Sequence, residues 1–574
     1  MTLTPAEVIS LKSFLNAYLR ESPSVIYNQD TSDNWYAYYQ LQPFNFKLRV
    51  KLIYYSLTGR HQFSWPAQLI INEHKNELHP SCLIGLLIQD LHYRHPNKEH
   101  DHHDFIQRYY QSCENLDSIF KLLSNDHMNR LFEDEVDFQL SENGLLSGHQ
   151  MHPMPKSRVG FNKEEFRLYS PEIGDFFQLH YFLADPSIVY SDSALQDNAN
   201  LIIKKYFVPD GLSDTKMIVP IHPWQAKYIL KLPTIKTWLK CGLLEDIGQL
   251  GQYFTATSSI RTLYHQSCPY MIKCSLNVMI TNSLRTQYPK ELIRGLAAHR
   301  FWQSSIGKGL QQYYPQFYPI TDPAFICLQD NKNVVHETTA LLRLNPFTMT
   351  NNVTSLASLC QDHPFENKNR FTTLISIVSR NKQCSHNEAA RLWFSEFLRI
   401  VIEPILWLFV HHDVALEAHQ QNVLIDLKDG LPVASYYRDN QGYYVVDEAL
   451  ITLSTQIDPV ILQSFCCGNN EFITHHFIYY LVCNSIFGVI NALGTAKVID
   501  EVSLLEYLSL FIIEKQSAWH KHYLFDSLLK RDTLPFKGNL LTRFHGLDEL
   551  VAPLQQQSIY VDVANLIKRF VTSY

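Results

Sequence analysis

The stretch SSIRTLYHQSCPYMIKCSLNVMITNSLR, residues 258–285, places polar and basic side chains around a run that alternates as a β-strand. In residues 271–280 the apolar side chains fall on one face and the polar ones, Lys273 among them, fall on the other. A hydroxyl-rich segment ending near Arg261 precedes this strand, and Arg285 follows it. A solvated strand face would explain Lys273 but not the flanking arginines, so the segment predicts an anion-binding site.

The composition excludes several classes of protein. Of the 574 residues, 46% are hydrophobic and 18% charged, which is too apolar for a disordered chain and sufficient for several cores. The net charge of -7 opposes bulk attraction to nucleic acid, so an anionic substrate needs a local basic cluster. The eleven cysteines include no CxxC pair, as expected of thiols in a reducing cytosol. The N-terminus lacks the pattern of a signal peptide. We expect a cytoplasmic protein with no nucleic-acid and no membrane partner.

Local patterns divide the chain into three parts with soft boundaries. Residues 1–140 look mainly helical. Residues 141–390 contain more Gly, Pro and short β-rich runs, and they predict a region with sheet. Residues 391–574 look helix-rich, with a short strand pair at 422–426 and 443–447. The fold class predicted for the whole chain is α+β.

Three signals within these parts are more local. Thr4 and Glu7 form a predicted capping box with Pro5 at the first helical position, and Ser385 and Glu388 form a second box. The apolar run 472–493 is interrupted by histidines and asparagines, so it predicts a buried core helix rather than a bilayer helix.

Common catalytic signatures such as GxxxxGK[ST], GxGxxG, HExxH and GxSxG are absent from the sequence. Three other segments concentrate polar residues beside Gly and Pro: 148–160, with two His, a Lys and an Arg; IHPWQ at 221–225; and EAHQQNVLID at 417–426, followed by Arg438 and Asp439. Each segment alone also has a purely structural interpretation: 148–160 as a solvated loop, 221–225 as packing and a helix cap, and 417–426 as a solvated helix end that leads into a core strand. The third can also hold Mg²⁺ against phosphates, and this property does not separate a kinase from a ligase.

In this order, HPWQ, SxRT, KxSLxxxITxxxR and EAHxQN resemble the NRPS-independent siderophore synthetases, the aerobactin-synthetase-like IucA/IucC family. The similarity begins near residue 140 and covers roughly three quarters of the chain. It implies a cupped hand, with 1–140 as thumb, 141–390 as fingers and 391–574 as a helix-rich palm. It also implies that ATP with Mg²⁺ adenylates a carboxylate of citrate or a related acid. An amine, hydroxylamine or amino alcohol then displaces AMP, and family members are often homodimers.

The resemblance also implies roles for particular residues. The residues matched to ATP phosphates are Ser259, Arg261, Thr262 and Lys273, and those matched to the loop over the nucleotide are His152, Lys156 and Arg158. Contacts to the acid are implied for Thr281, Arg285, His419 and a basic pair, Lys537 and Arg543. The Mg²⁺ end is matched by Glu417, Asn422 and Asp439, and the catalytic candidates are His419, Arg285 and Lys273. Two departures, Gln150 for the usual Pro and Gln420 for a common Gly, concern loop conformation more than chemistry.

Two alternatives stay open at this point. A kinase-like phosphotransferase is suggested by Glu417, Asn422 and Asp439, although the sequence lacks a Gly-rich loop followed by a lysine-bearing strand. A non-catalytic binding protein would be free to lose the charged residues that this chain retains. Whether His419 acts as a base or only orients the substrate is likewise open.

Overall fold

The computed structural model describes residues 3–96, 102–213, 215–347, 352–547 and 558–571. Both predicted capping boxes are present. Thr4 accepts the amide N–H of Glu7 while the Glu7 carboxylate accepts that of Thr4, and Ser385 and Glu388 repeat the arrangement. Both signals are reliable because a capping box depends on residues only three positions apart.

The N-terminal part combines helices with an antiparallel five-stranded sheet. The strands follow one another in the sheet as in the sequence: Ile26–Gln29, Trp35–Leu41, Phe46–Tyr54, Gln62–Ile71 and His74–Glu77. The helices are Pro5–Glu21, Pro80–Arg94, His102–Leu122, Asn125–Arg130 and Phe138–Asn143. The expectation that residues 1–140 are mainly helical is therefore wrong for 26–77. Burial alternates along Phe46–Tyr54, and this period of two is the strand signal that the expectation overlooked.

An antiparallel sheet of eight strands dominates the middle part. Its spatial order is Val189–Ser193, Ala324–Asp330, Asn333–Leu344, Tyr270–Cys274, Thr262–Tyr264, Leu244–Ala256, Phe177–Ala184 and Met217–Ile221. The α-helices around it are Lys163–Tyr169, Ala199–Tyr206, Pro223–Ile229, Pro233–Lys240, Pro289–Trp302 and Ser305–Tyr313, with short 3₁₀ turns at Pro171–Ile173 and Pro186–Ile188. A three-stranded sheet beside it contains Ser283–Arg285, Leu276–Ile280 and Arg158–Val159.

The strand predicted over 271–280 is two strands in two different sheets. The chain leaves the large sheet at Ser275, whose hydroxyl donates to the carbonyl of His336 at 2.5 Å. Lys273 and Asn277 therefore do not share one sheet face. The change of sheet turns the second half of the segment towards residues 148–160.

The C-terminal part is rich in helices, as predicted. From residue 391 on they are Glu403–His412, Leu450–Leu453, Pro459–Ser464, Asn470–Phe477, Phe487–Thr495, Glu501–Ala518, Tyr523–Lys530, Asn539–Phe544 and Leu566–Val571. Three further helices begin before residue 391: Leu356–Leu359, Arg370–Lys382 and His386–Phe397. A 3₁₀ turn lies at Asp447–Ala449, and π-helical segments lie at Leu398–Ile402 and Ile478–Ile486. The span Asn470–Thr495 is long and apolar enough to cross a membrane, but its apolar window is entirely buried. It is therefore a core helix, as predicted for 472–493.

The strands of the C-terminal part form three small sheets, the first of which also includes two strands from before residue 391, Phe317–Pro319 and Val353–Ser355. The first is Phe317–Pro319, Leu431–Tyr437, Val423–Lys428 and Val353–Ser355; the second is Val414–Leu416, Tyr443–Val446 and Cys466–Gly468; the third is Thr533–Lys537 with Tyr560–Ala564. The predicted pairing of 422–426 with 443–447 is wrong, because these strands belong to different sheets. Asp429 and Gly430 both have positive φ and form a tight hairpin, so the first strand pairs with the strand next to it in sequence.

Candidate active site

Two adjoining chambers lie where the middle and C-terminal parts meet. The larger has a volume of about 750 Å³ and the smaller about 200 Å³. Among the residues that line the larger chamber, eight are Lys or Arg and three are Asp or Glu, in a chain whose net charge is -7. The chambers share a wall of Ser259, Ser283, Arg285, Glu417, His419, Gln421, Tyr480 and Lys537. This local excess of cations fits the predicted anion site.

Buried cations of the larger chamber gather around one carboxylate. Asp322, which is fully buried, accepts two hydrogen bonds from Arg343, at 2.6 and 3.1 Å, and lies 3.5 Å from the Lys273 ammonium. Burial alone would raise the pKa of Asp322, but Arg343 and Lys273 outweigh it and lower that pKa. Arg261 lies on the same wall, 4.0 Å from Glu291. Three cations thus face the chamber with two carboxylates beside them, Asp322 and the more distant Glu291.

The turn that carries Ser259 and Arg261 has a strained backbone. Ile260 has a φ of +67°, a left-handed conformation that is an outlier for a β-branched residue, and its side chain is completely buried. Arg261 donates to the carbonyls of Arg285 and Thr286 at 3.2 and 2.9 Å, which ties this turn to the strand Ser283–Arg285. Such strain costs about 1–3 kcal/mol and persists where the surroundings fix it, commonly at functional sites.

Oxygen ligands face this chamber from the C-terminal part. Glu417 accepts the Tyr444 hydroxyl at 2.9 Å, Asp439 accepts the amide of Gln441, and Asn422 donates to the carbonyl of Glu417. A Cβ at Gly442 would collide with both carboxylate side chains, so a glycine there allows them to approach. Two carboxylates and an amide suit a hard cation such as Mg²⁺, which also takes phosphate and water oxygens. Within the described residues, no three His, Cys, Asp or Glu side chains converge as a metal cage.

In the smaller chamber, Lys156 and Arg158 share one buried carboxylate, that of Glu172. Glu172 is 2% exposed, forms ion pairs with the Lys156 ammonium and the Arg158 guanidinium, and accepts two hydrogen bonds from Arg158. Burial would raise the pKa of Glu172, but Arg158 and Lys156 outweigh it and lower the pKa to about 2. Lys156 and Arg158 therefore line the chamber with their charges engaged by the protein.

Histidines of the site have defined tautomers. His152 accepts the amide of Met154 at Nδ1, so its Nε2 carries the proton and donates to Asn282 at 3.0 Å. His419 accepts the amide of Gln421 at Nδ1, 3.2 Å away, and its Nε2 lies 3.8 Å from Glu417. Desolvation, with help from Lys537, Arg438 and Arg285, lowers the pKa of His419 to about 4 despite Asp439. His419 is thus neutral near pH 7, with its proton on Nε2.

The fold brings almost all of the predicted site residues to these walls. The smaller chamber is lined by His152, Lys156, Arg158 and Thr281; the larger by Arg261, Thr262, Lys273, Asn422 and Asp439; and the shared wall holds Ser259, Arg285, Glu417, His419 and Lys537. Arg543 differs, because it lines neither chamber and forms an ion pair with Asp104 of the helix His102–Leu122. The HPWQ segment is structural: His222 caps a helix, and Gln225 bonds both the amide and the side chain of Asn277.

Sequence reasoning missed Arg343, Asp322 and Glu142. Arg343 is a single charge in the apolar run ALLRL, and this isolation is a usable signal because lone charges in buried strands need partners. Asp322 and Glu142 lie in loops or short helices with no comparable pattern. Cations on one wall and the Glu417 and Asp439 carboxylates on the other form a cleft suited to a polyanion held together with a divalent cation.

Comparison with known proteins places this site in a family. The model of the IucA / IucC family matches residues 137–361, and a model described as ferric iron reductase FhuF-like transporter matches residues 391–552. A spermidine-citrate ligase of Bacillus anthracis is 34% identical, covering 99% of this chain and 98% of that protein. The rhizobactin siderophore biosynthesis protein RhbC of Rhizobium meliloti (strain 1021) is 31% identical, covering 98% and 97%.

The fold agrees with the sequence comparison. The ATP-bound aerobactin synthetase IucA from a hypervirulent pathotype of Klebsiella pneumoniae superposes with a TM-score of 0.90 at 27% identity, covering 99% of this chain and 100% of that one. The predicted α+β class is confirmed. The chain belongs to the IucA/IucC family of siderophore synthetases.

Proposed function

We propose that this protein is an ATP-dependent ligase of siderophore biosynthesis that adenylates a carboxylate of citrate or a related acid and joins it to an amine or hydroxyl. The observation that carries the proposal is the larger chamber, where Arg261, Lys273 and Arg343 face Glu417 and Asp439. Relatives named as a spermidine-citrate ligase and a citryl-hydroxylysine synthase support citrate and an amine-bearing partner. They favour a ligase over a kinase-like phosphotransferase or a non-catalytic binding protein.

The chemistry explains why the site needs these charges. A carboxylate resists amines because its negative charge repels the nucleophile. When a carboxylate oxygen attacks the α-phosphorus of ATP, pyrophosphate leaves and an acyl adenylate forms. The amine nitrogen then attacks the acyl carbon, the bond to AMP breaks, and the amine loses a proton. Fixed cations stabilise the charge that develops in the first step.

Within this scheme the larger chamber, the smaller chamber and the wall that they share contact different parts of the substrates. We assign the ATP phosphates to Ser259, Arg261, Thr262 and Lys273, and the wall of the smaller chamber around His152 covers the nucleotide. The acid lies at the shared wall, near Arg285, His419 and Lys537, with Thr281 beside it. Arg285 suits this task because its planar fork matches a carboxylate.

His419 acts as a hydrogen-bond donor in this proposal. Its Nδ1 already accepts the amide of Gln421, so the neutral ring offers Nε2–H to the acid. A ring in this state has no free lone pair to take the proton of the amine. His419 therefore orients the acid and does not act as a base.

Glu417, Asn422 and Asp439 would hold Mg²⁺, since all three offer oxygen ligands to the larger chamber. When bound, the ion would neutralise part of the negative charge of the ATP phosphates. The nucleophile is an amine, a hydroxylamine or an amino alcohol. We further propose thumb, fingers and palm regions at 1–140, 141–390 and 391–574, a homodimer, and a cytoplasmic location.

Product analysis tests the proposal. The purified protein is incubated with Mg-ATP and hydroxylamine, with citrate, 2-oxoglutarate or no acid. We expect AMP and pyrophosphate that depend on the acid, and the more active acid identifies the substrate class. Formation of ADP, or no nucleotide turnover with either acid, would refute the ligase.

A further inference from the structure

Glu142 lies behind the active site and lines neither chamber. It is near the end of the helix Phe138–Asn143, and only 2% of its surface is exposed. One carboxylate oxygen accepts both the amide N–H of Ser258, at 3.1 Å, and the Ser258 hydroxyl, at 2.9 Å. Glu142 therefore holds the residue that precedes Ser259 in the phosphate-binding turn.

The other carboxylate oxygen of Glu142 lies 2.8 Å from Nη1 of Arg438. Arg438 lines the larger chamber, and by residue type alone it would be taken for a phosphate ligand. Its other nitrogens are engaged by the protein, however. Nε donates to the carbonyl of Gln421 at 2.9 Å, and Nη2 donates to the Ser258 hydroxyl at 3.3 Å. Each of the three nitrogens of this guanidinium thus has a contact within the protein, and together these contacts fix its orientation.

These contacts connect three loops that are distant in sequence. Ser258 precedes Ser259, Gln421 precedes Asn422, and Arg438 precedes Asp439. The Gln421 side chain also donates to the Ser258 hydroxyl, at 3.2 Å. Ser258, Gln421 and Arg438, the three partners that Glu142 connects, are thus each the immediate neighbour of a residue assigned to phosphate or Mg²⁺.

We propose that the buried Glu142–Arg438 pair positions the phosphate-binding turn relative to the oxygen ligands of the metal, and that Arg438 is a positioning residue rather than a phosphate ligand. This inference rests on the proposed function. Burying two charges is costly, and a buried ion pair is weak evidence for stability. A role in geometry accounts for the pair, because a displacement of about 1 Å in an active site can reduce the rate about 100-fold.

Glu142→Gln tests the proposal, since it keeps the size of the side chain and removes its charge. We expect the KM for Mg-ATP to rise about tenfold, more Mg²⁺ to be needed for half-maximal rate, and the KM for the acid to stay within about twofold. Direct titration of Mg-ATP by calorimetry should show the same loss. Glu135→Gln, an exposed carboxylate on the approach to the same helix, is the matched control and should behave as wild type.

The double variant separates positioning from direct binding. If the pair acts as a unit, Glu142→Gln combined with Arg438→Gln is no worse than the poorer single variant, because the effects do not multiply. If Arg438 binds phosphate itself, Arg438→Gln is impaired while Glu142→Gln keeps the wild-type affinity for Mg-ATP, and the proposal is wrong. If a single variant fails to fold, the double variant can still be measured, because it leaves no unpaired buried charge.

Two further results would count against the pair. Equal increases in both KM values together with a lower melting temperature would assign it a structural role only. An unchanged Mg²⁺ requirement in Glu142→Gln would remove the link to the metal ligands. Turnover by the wild type separates failure of the proposed function from failure of this inference. If the wild type releases no acid-dependent pyrophosphate, the proposed function is wrong. Titration of the same variants with Mg-ATP then still decides whether the Glu142–Arg438 pair positions the nucleotide site.

Discussion

Two basic clusters face the same cleft and differ in how closely their lysines are paired with a carboxylate. In the smaller chamber, Lys156 and Arg158 share the carboxylate of Glu172, which takes ion pairs from both. In the larger chamber, Lys273 lies 3.5 Å from Asp322, a carboxylate that Arg343 already occupies with two hydrogen bonds. Each cluster thus pairs two cations with one carboxylate, but Lys156 is bound closely to Glu172, whereas Lys273 has only a long contact with Asp322 and is more available to a ligand.

The difference shows that residue type does not define an anion site. Lys156 and Lys273 are both buried lysines in polar, basic segments, and burial lowers the pKa of each. The two lysines differ in how closely the ammonium group contacts its carboxylate, which is Glu172 for Lys156 and Asp322 for Lys273. We therefore expect loss of charge in the first cluster to affect mainly stability, and loss of charge in the second to affect mainly adenylation.

Glu172→Gln should have the largest effect on the molecule. It leaves Lys156 and Arg158 buried with only a neutral partner, and breaking a buried ion pair from one side costs about 3–5 kcal/mol. Urea denaturation would measure the loss. Glu164→Gln, an exposed carboxylate on the helix Lys163–Tyr169, is the control and should change the free energy of unfolding by less than about 0.5 kcal/mol.

Acid denaturation provides an independent check of the same pair. The pKa of Glu172 is about 2 in the folded protein, below its ordinary value of 4.5, so its contribution is present above pH 4.5 and is lost as the pH falls towards 2. The contribution is roughly 3 kcal/mol. The variant should lack this part of the pH dependence, and an identical acid transition in both proteins would contradict the role of Glu172.

The features predictable from sequence are those set by neighbouring residues. The capping boxes at Thr4 and Ser385 span three positions, and the burial of 470–495 follows from its composition. Almost all of the residues predicted for the site line the two chambers, and they were found because their motifs occur in the order that resembles the family. The five-stranded sheet was missed although its alternation was present, since the adjoining helices dominated the interpretation of 1–140.

The charge balance within the cleft could not be predicted. The pairing of Asp322 with Arg343 joins a loop to a strand 21 residues away, and Glu142 meets Arg438 across 296 positions. No local pattern encodes such pairs, because they depend on how separate sheets pack. For the same reason Arg543 could not be distinguished from Lys537 in the sequence, although it pairs with Asp104.

Lys273→Ala should have the next largest effect, and it tests the second cluster. Removing a fixed cation from the developing charge should lower acid-dependent pyrophosphate release about 10²–10³-fold. Stability should change little, because Arg343 continues to hold Asp322. Lys227→Ala, on an exposed position of the helix Pro223–Ile229, serves as the control. Pyrophosphate release at the wild-type rate would remove Lys273 from the phosphate site.

Arg285→Ala tests the wall shared by the two chambers, and we expect a smaller loss of activity than for Lys273→Ala. A hydrogen bond to a charged group contributes about 1.5–3 kcal/mol, so the KM for the acid should rise about 10–100-fold. The KM for ATP should rise far less, because Arg285 is assigned to the acid. Initial rates at varied acid and ATP measure both constants. The reverse pattern would place Arg285 with the phosphates and extend the second cluster across the shared wall.

His419 should show the smallest effect, and it tests whether the shared wall donates or accepts a proton. His419→Gln keeps an N–H near the position of Nε2, and His419→Asn does not reach it. If Nε2–H orients the acid, the glutamine variant should retain a rate within about threefold of wild type, and the asparagine variant should lose about tenfold. With the pKa of His419 near 4, the wild-type rate should also show no step between pH 5.5 and 8 from this residue. Equal losses in both variants, or a step near pH 6.5 that both abolish, would make His419 a base, and the wall would then take part in the proton transfer itself.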